Sequence, residues 1–330
     1  MIYRILGKTG LKVSVIGYGT SPLGAEFGVI DPTEGKRAVD HAVDNGINYF
    51  DAAPYYGRTL AEKRLGEFLT GKRQKVILAS KACRYDITTF DFSAKRVRES
   101  IEESLKRLRT DYLDVYQIHD VEYCELERII NETIPAMLKL KKQGKIRFVG
   151  ITGYPLTNLK KIAEAADIDT ILTYCHYTLI DTSMDDILTP IVKQKEIGLI
   201  NAAPLHMGAL TEKGAPSWHP APEQVLAAAK RAAAFCKKKG TKISELAMQF
   251  ALQHPDVATT VTGMTKQHHV DTNINLVGKK PDAELLQEVL EIFKPVANIR
   301  WKEGLPENDD PDAVDKRTLG LERNDEIRKA

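Results

Sequence analysis

Four side chains of chemically useful types stand at or just past the ends of apolar runs: Asp51 closes INYFD, Tyr56 follows five residues later in FDAAPYYG, Lys81 closes KVILASK and His119 closes YLDVYQIH. A phenol, with a reference pKa of about 10, is a poor proton acceptor at neutral pH unless a nearby cation favours its anion. Lys81 is a candidate for that cation, and the Asp51 carboxylate would keep a buried ammonium charged. A neutral His119 beside the phenol would orient a substrate oxygen and support charge developing on it. Together these groups suit proton transfer to or from a carbonyl or alcohol oxygen while hydride moves on the other side. Singly, each has a plainer explanation as a solvated loop residue or a packing ring. It is their coincidence on three consecutive runs that favours chemistry.

Such groups need a scaffold that brings three run ends to one place. VSVIGYG, INYFD, KVILASK, YLDVYQIH, IRFVGIT, DTILTY, IGLINAA and VATTVTG are strand-like and alternate with helical stretches. Eight is the number a closed parallel (β/α)8 TIM barrel requires, and in that fold the C-terminal strand ends carry the site. Ser93 is placed to cap AKRVRESIEESLKRL, and CELERIINETIPAMLKLKKQGK ends in lysines and a glycine, as a helix C-terminus prefers. YRILGKTGLKVS reads as an N-terminal β-hairpin turning around Lys8, Thr9 and Gly10 and plugging the barrel bottom. Residues 1–305 therefore form one barrel domain. Residues 306–330, with 8 acidic and 5 basic side chains, read as a loosely ordered or partner-dependent tail.

The 330 residues carry 47 Lys plus Arg against 45 Asp plus Glu, a balance with no global field for nucleic acid or an anionic membrane. No run approaches a membrane span and the N-terminus has no signal or transit pattern, so a cytoplasmic protein is expected. Cys83, Cys124, Cys175 and Cys236 form no CxxC pair and read as reduced thiols. His268 and His269 lack companion ligands at metal spacing, so no metal is expected.

FDAAPYYG, ASK and QIHD, with LGKTGLKVSVIGYGTSPLG at the front, resemble the aldo-keto reductase superfamily, over nearly the whole chain to about Trp301. The resemblance implies a barrel that binds NAD(P)H without a Rossmann domain, with Asp51, Tyr56, Lys81 and His119 as its catalytic residues. Longer segments such as NETIPAMLKLKKQGKIRFVGITGYPL and APLHMGALTEKGAPSWHPA resemble the sugar 1-dehydrogenases of that superfamily. The implied reaction is oxidation of an aldose of the L-galactose, L-fucose or D-arabinose type at C1 to its lactone. Tyr56 would be the general base and nicotinamide C4 the hydride acceptor.

GYGTSPLG contains GxG, but Pro22 stands where a third Rossmann glycine would, so that fingerprint fails; Gly19 and Thr20 remain candidate contacts of the nicotinamide. The resemblance further implies Thr152 and Tyr174 near the carboxamide and Ala202 where a stacking tyrosine is frequent. It puts Pro204, Leu205, Gly208 and Leu210 in a pyrophosphate loop, and Gly263, Thr265, Lys266, His269 and Asn273 around adenosine. No arginine stands at the positions that would hold a 2′-phosphate, which predicts NAD over NADP; Lys266 and His268 argue the other way. Tyr55, Tyr85, Trp218 and His219, together with His119, are candidate sugar contacts, and His176 is either a further one or a core histidine. The expected partner is a small sugar, bound by a monomer or small homo-oligomer. Two alternatives remain: an NADPH-dependent carbonyl reductase of broad aldehyde specificity, and a cofactor-sensing subunit attached to a membrane channel.

Overall fold

Each apolar run becomes one barrel strand except the first, which breaks at Val15: Lys12–Ser14 belongs to the hairpin and Ile16–Gly19 to the barrel. The computed structural model describes residues 1–314. β1 (Tyr3–Ile5) and β2 (Lys12–Ser14) pair antiparallel. The barrel comprises β3 (Ile16–Gly19), β4 (Tyr49–Asp51), β5 (Ile77–Ala82), β6 (Leu113–Ile118), β7 (Ile146–Gly153), β8 (Thr170–Tyr174), β9 (Gly198–Ala202) and β10 (Val257–Gly263). All eight run parallel, and β10 closes the ring by pairing with β3. The hairpin, the strand count and the (β/α)8 closure agree with the sequence.

Strand parity decides what the barrel holds. Tyr49, Ala79, Val115, Leu172 and Ile200 point inward and pack with Leu6, Leu11 and Val13, so the hairpin seals the bottom with apolar side chains. The next residues, Phe50, Leu78 and Tyr116, face the helices and join the larger outer core. Two positions beyond the inward set come Asp51, Lys81 and Gln117, all buried, so a polar layer lies directly on the apolar one. Ser93 caps the helix Ala94–Leu108 as expected, its Oγ accepting from Arg96 N at 3.2 Å. The four cysteines are all buried as free thiols. Among the described residues no helix is long and apolar enough to cross a membrane.

The charged end departs from the expectation of a loose segment as far as residue 314; its remainder lies outside the described residues. Arg300 NH1 donates to Asp310 Oδ2 at 2.6 Å. The same carboxylate caps the helix Leu156–Ala165, accepting from Leu156 N and Thr157 N, each at 3.1 Å. Asn308 Nδ2 bonds the carbonyls of Glu122 and Cys124 at 2.9 and 2.8 Å, and Trp301 stacks on Tyr154 with 4.1 Å between ring centroids. Composition hid this because Asp310 and Asn308 serve as caps and crosslinks, roles that depend on a partner helix rather than on local hydrophobicity. Asp310→Ala removes a helix cap and a buried counter-ion together, and is expected to lower stability by about 2 kcal/mol. Urea denaturation checks this; an unchanged midpoint would mean the segment contributes nothing to the fold.

Candidate active site

The polar layer gathers at the C-terminal mouth of the barrel. Lys81 is fully buried, and its Nζ donates to the Asp51 carboxylate, to Ala52 O at 2.9 Å and to the Tyr56 hydroxyl at 3.1 Å. Gln117 Nε2 donates to the other Asp51 oxygen, Oδ2, at 2.8 Å. Burial works against the charge on Lys81, but Asp51, with Tyr56, outweighs it and raises the ammonium above its ordinary pKa. The ring of Tyr56 meets that of His119 edge-on, 5.7 Å between centroids at 89°. All four catalytic candidates line one cavity of about 600 Å³.

Tyr56 reaches this place because two loops touch backbone to backbone. Gly57 has φ +60°, and a Cβ there would lie 2.1 Å from Gly24 O, while a Cβ on Gly24 would lie 2.6 Å from Tyr56 C. The glycine closing FDAAPYYG and the one closing SPLG are thus required by each other. They press the turn after β4 against the turn after β3 and aim the phenol at Lys81.

The balance of forces on the phenol corrects the expectation that Lys81 makes it basic. Withdrawal from water dominates and pushes the Tyr56 pKa up to about 12, with the Lys81 cation pulling it down only in part and Asp51 opposing that pull. The resting phenol therefore holds its proton. His119 is driven down to about 3, by burial first and against the pull of Asp120, so the ring is neutral as expected. His119 Nδ1 has no hydrogen-bond partner among the described residues, and Nε2 lies 3.7 Å from Asp120 Oδ2.

Most of the expected cofactor positions line the same cavity. Thr152 and Tyr174 stand on the β7 and β8 side, Ala202, Pro204, Leu205 and Gly208 follow β9, and Gly19, Gly263, Thr265, Lys266 and His269 form the opposite wall. Three do not. Thr20 is fully buried and spends its hydroxyl on Asp51 O at 2.8 Å, fixing the end of β4. Leu210 is buried in the core under the helix Glu223–Lys238. Asn273 lies one helical turn beyond His269 on the helix Gln267–Ile274, a rise that carries it past the wall.

Of the sugar-contact candidates only Tyr55 and His119 line the cavity. Tyr85 packs sideways, its hydroxyl accepting from Cys83 N at 3.1 Å and its ring 4.2 Å under the Arg96 guanidinium. His219 is buried, with Nε2 bonded to His206 O at 2.8 Å and Nδ1 accepting from Ala221 N at 3.1 Å. Trp218 stands behind Phe27, 5.8 Å between ring centroids, and it is Phe27 that reaches the wall. His176 is a core residue, bonded to Tyr154 O at 2.8 Å. In each case the side chain is engaged by the protein itself, which residue type alone cannot reveal.

Two buried wall residues were not anticipated: Arg84, three positions past Lys81, and Asp120, next after His119. Both lie just beyond the strand ends, and extending the strand-end filter by a few residues would have found them. Glu34 was also missed; it comes from the helix Pro32–Asp44, and its carboxylate stands 3.6 Å from Lys266 Nζ. Among the described residues no group of three or more His, Cys, Asp or Glu side chains is arranged to hold a metal ion.

Ala203, His206, Met207 and Gly208 all take left-handed conformations, with φ of 52°, 49°, 48° and 100°. Three of these four are not glycine, and such strain gathers where a backbone is shaped to clamp a ligand. Successive backbone N–H groups in turns of this kind form anion-binding concavities. The turn borders the same cavity as Tyr56 and Lys266.

Residues 15–293 match the model of the aldo/keto reductase family. The chain is similar to L-galactose dehydrogenase of Arabidopsis thaliana, with 45 % identity covering 92 % of this chain and 98 % of that enzyme. D-threo-aldose 1-dehydrogenase of a Pseudomonas species is 27 % identical over 86 % of this chain and 94 % of its own. Among solved structures, the holo form of an aldo-keto reductase from Bacillus halodurans superposes with a TM-score of 0.76 at 28 % identity, covering 94 % of this chain and all of that one. The match over most of the barrel, around a cavity whose wall holds a lysine-bound phenol, makes the chain an oxidoreductase of the aldo/keto reductase family.

Proposed function

We propose that the cavity oxidises an aldose at C1 to the lactone, with NAD as the hydride acceptor. The observation that carries this reading is the cluster in which Lys81 joins Asp51 to the Tyr56 hydroxyl next to a neutral His119. The names of the two sugar dehydrogenases similar to this chain support an aldose as substrate. The strained turn at 203–208 and the walls around Thr265 and His269 are the residues that would hold the cofactor. When bound, the cofactor supplies the hydride acceptor. NAD is favoured over NADP because Lys266, the one Lys or Arg on that wall among the described residues, already faces the Glu34 carboxylate at 3.6 Å, and a 2′-phosphate would meet that negative charge.

In this mechanism Tyr56 enters the step as the phenolate, which Lys81 steadies by its hydrogen bond, and takes the proton of the C1 hydroxyl to become the neutral phenol. Asp51 keeps Lys81 charged, while His119, carrying no charge of its own, fixes the oxygen by a hydrogen bond. A second reading is favoured by one observation: a phenol held protonated, near 12, is prepared to donate, which suits reduction of a carbonyl. The two readings separate in a single comparison of aldose oxidation with NAD against aldehyde reduction with NADPH.

Two outcomes test the assignment. Tyr56→Phe is expected to lose about 10²–10⁴ of kcat/KM while still binding NADH, as measured by fluorescence titration. Loss of turnover below tenfold would remove the phenol from the mechanism. The pH dependence has a definite sign. Oxidation needs the deprotonated phenol, so its kcat/KM should climb by about tenfold per unit from pH 7 towards 10, whereas reduction, needing the protonated form, stays level over that range. An oxidation rate that is flat or falls with rising pH would assign the base elsewhere. For cofactor choice, kcat/KM with NAD should exceed that with NADP at least tenfold, and the opposite preference would overturn the reading of Lys266 and Glu34.

A further inference from the structure

Arg84 and Asp120 form a buried ion pair on the cavity wall that the proton-transfer cluster does not use. Arg84 NH1 donates to Asp120 Oδ2, and the guanidinium lies 4.0 Å over the Tyr55 ring. The two side chains are 6 % and 4 % exposed, so both charges have left water. An apolar pair of similar volume would serve stability as well or better. Asp120 bears a second cost, a left-handed backbone with φ 56° that an aspartate adopts less readily than glycine. Neither cost is explained by packing.

The position of Asp120 gives the explanation. Its Oδ2 lies 3.7 Å from His119 Nε2, and Thr152 Oγ1 accepts from its backbone N at 3.1 Å, leaving the carboxylate fixed beside the imidazole. Oδ1 has a contact of 3.5 Å from the Thr152 hydroxyl, too long to satisfy it. Close by, Arg84 Nε and the Tyr55 hydroxyl are buried with no hydrogen-bond partner among the described residues. Beside His119 there is therefore a carboxylate with one long contact on Oδ1, and on the same cavity wall two further buried polar groups with no partner among the described residues. A substrate with a second hydroxyl on the carbon adjacent to the reacting one supplies the donor that such a wall calls for.

We infer that Asp120, anchored by Arg84, accepts a hydrogen bond from the C2 hydroxyl of the aldose and selects sugars that carry it. The inference rests on the C1-oxidation reading and extends it to the neighbouring carbon. The two charges cancel, so the site takes a neutral polyol rather than an anionic sugar. A 2-deoxy sugar leaves one oxygen of this buried carboxylate without its donor, the kind of loss that gives strong discrimination.

The test compares L-galactose with 2-deoxy-L-galactose at saturating NAD. The parent protein is expected to lose at least about 100-fold in kcat/KM for the 2-deoxy sugar. In Asp120→Asn, whose fold is checked by circular dichroism, the same ratio should shrink below about tenfold, because a neutral amide oxygen gains less than a carboxylate from the C2 hydroxyl and loses less without it. Use of the two sugars within tenfold by the parent, a measurement that needs no variant, overturns this inference alone. So does a folded Asp120→Asn protein that keeps the parent's ratio, since a merely structural role for Asp120 would lower both rates together. A parent protein that oxidises no aldose overturns the C1-oxidation reading and this inference with it.

Discussion

An ammonium with no exposure to water, set on top of an apolar barrel core, is sustained by one contact: the Asp51 carboxylate that Lys81 Nζ meets. Without that carboxylate, burial would pull the lysine's pKa down with only Tyr56 to oppose it. The surroundings are arranged to keep the pair intact. Gln117 fills the second Asp51 oxygen, Ala52 O takes another ammonium proton and Thr20 ties the end of β4. Since a buried ion pair is weak as a source of stability, this many partners around one cation are better understood as holding a charge where the barrel needs it. What the charge faces is the Tyr56 oxygen.

That oxygen sits between opposed influences that nearly cancel. The two ion pairs nearest to it, Lys81 with Asp51 and Arg84 with Asp120, each sum to zero net charge. At the phenol loss of water is the largest influence and raises the pKa, while the Lys81 cation pulls it down and the Asp51 and Asp120 carboxylates oppose that pull. The same cancellation lets burial hold His119 neutral. A wall of four charges thus behaves towards its contents as a neutral but strongly polar surface, which suits a hydroxyl-rich uncharged molecule. Lys81 matters through its position as a donor to the phenol oxygen at 3.1 Å, where it stabilises an anion once formed.

The barrel and its catalytic corner could be read from sequence because both follow from periodicity. Inward parity carries Tyr49 to Asp51, Ala79 to Lys81 and Val115 to Gln117, and His119 lies just past the same strand, so strand ends located the cluster without any contact being known. Loops gave no such guide. Tyr85 and His219 have the residue types of a sugar site, yet one is spent on Cys83 N and the other on His206 O. Arg84 and Asp120 escaped notice because each is ordinary alone and meaningful only as a pair, 36 residues apart in the chain and joined across two loops. Asp310 escaped for a similar reason: in a charged run it looks solvated, whereas its partners are an arginine and the start of a helix more than 140 residues earlier.

The cavity has two ends of different character, and the fold explains the division. Its deep end is built on strand termini, which the closed sheet fixes, so Asp51, Lys81 and Gln117 sit on the most rigid elements available. Its outer end is built from the turn at 203–208, the start of the helix Gln267–Ile274 and the helix Pro32–Asp44, elements that each carry charge or strain rather than register. The buried polar layer is therefore fixed by the sheet, and the outer wall of the cavity by connections. The Lys266 and Glu34 pair spans two of those connections, from the loop after β10 to the first helix, and so couples the shape of the outer end to its charge. Neither side chain takes part in the hydrogen bonds that hold Lys81, Asp51 and Tyr56 together.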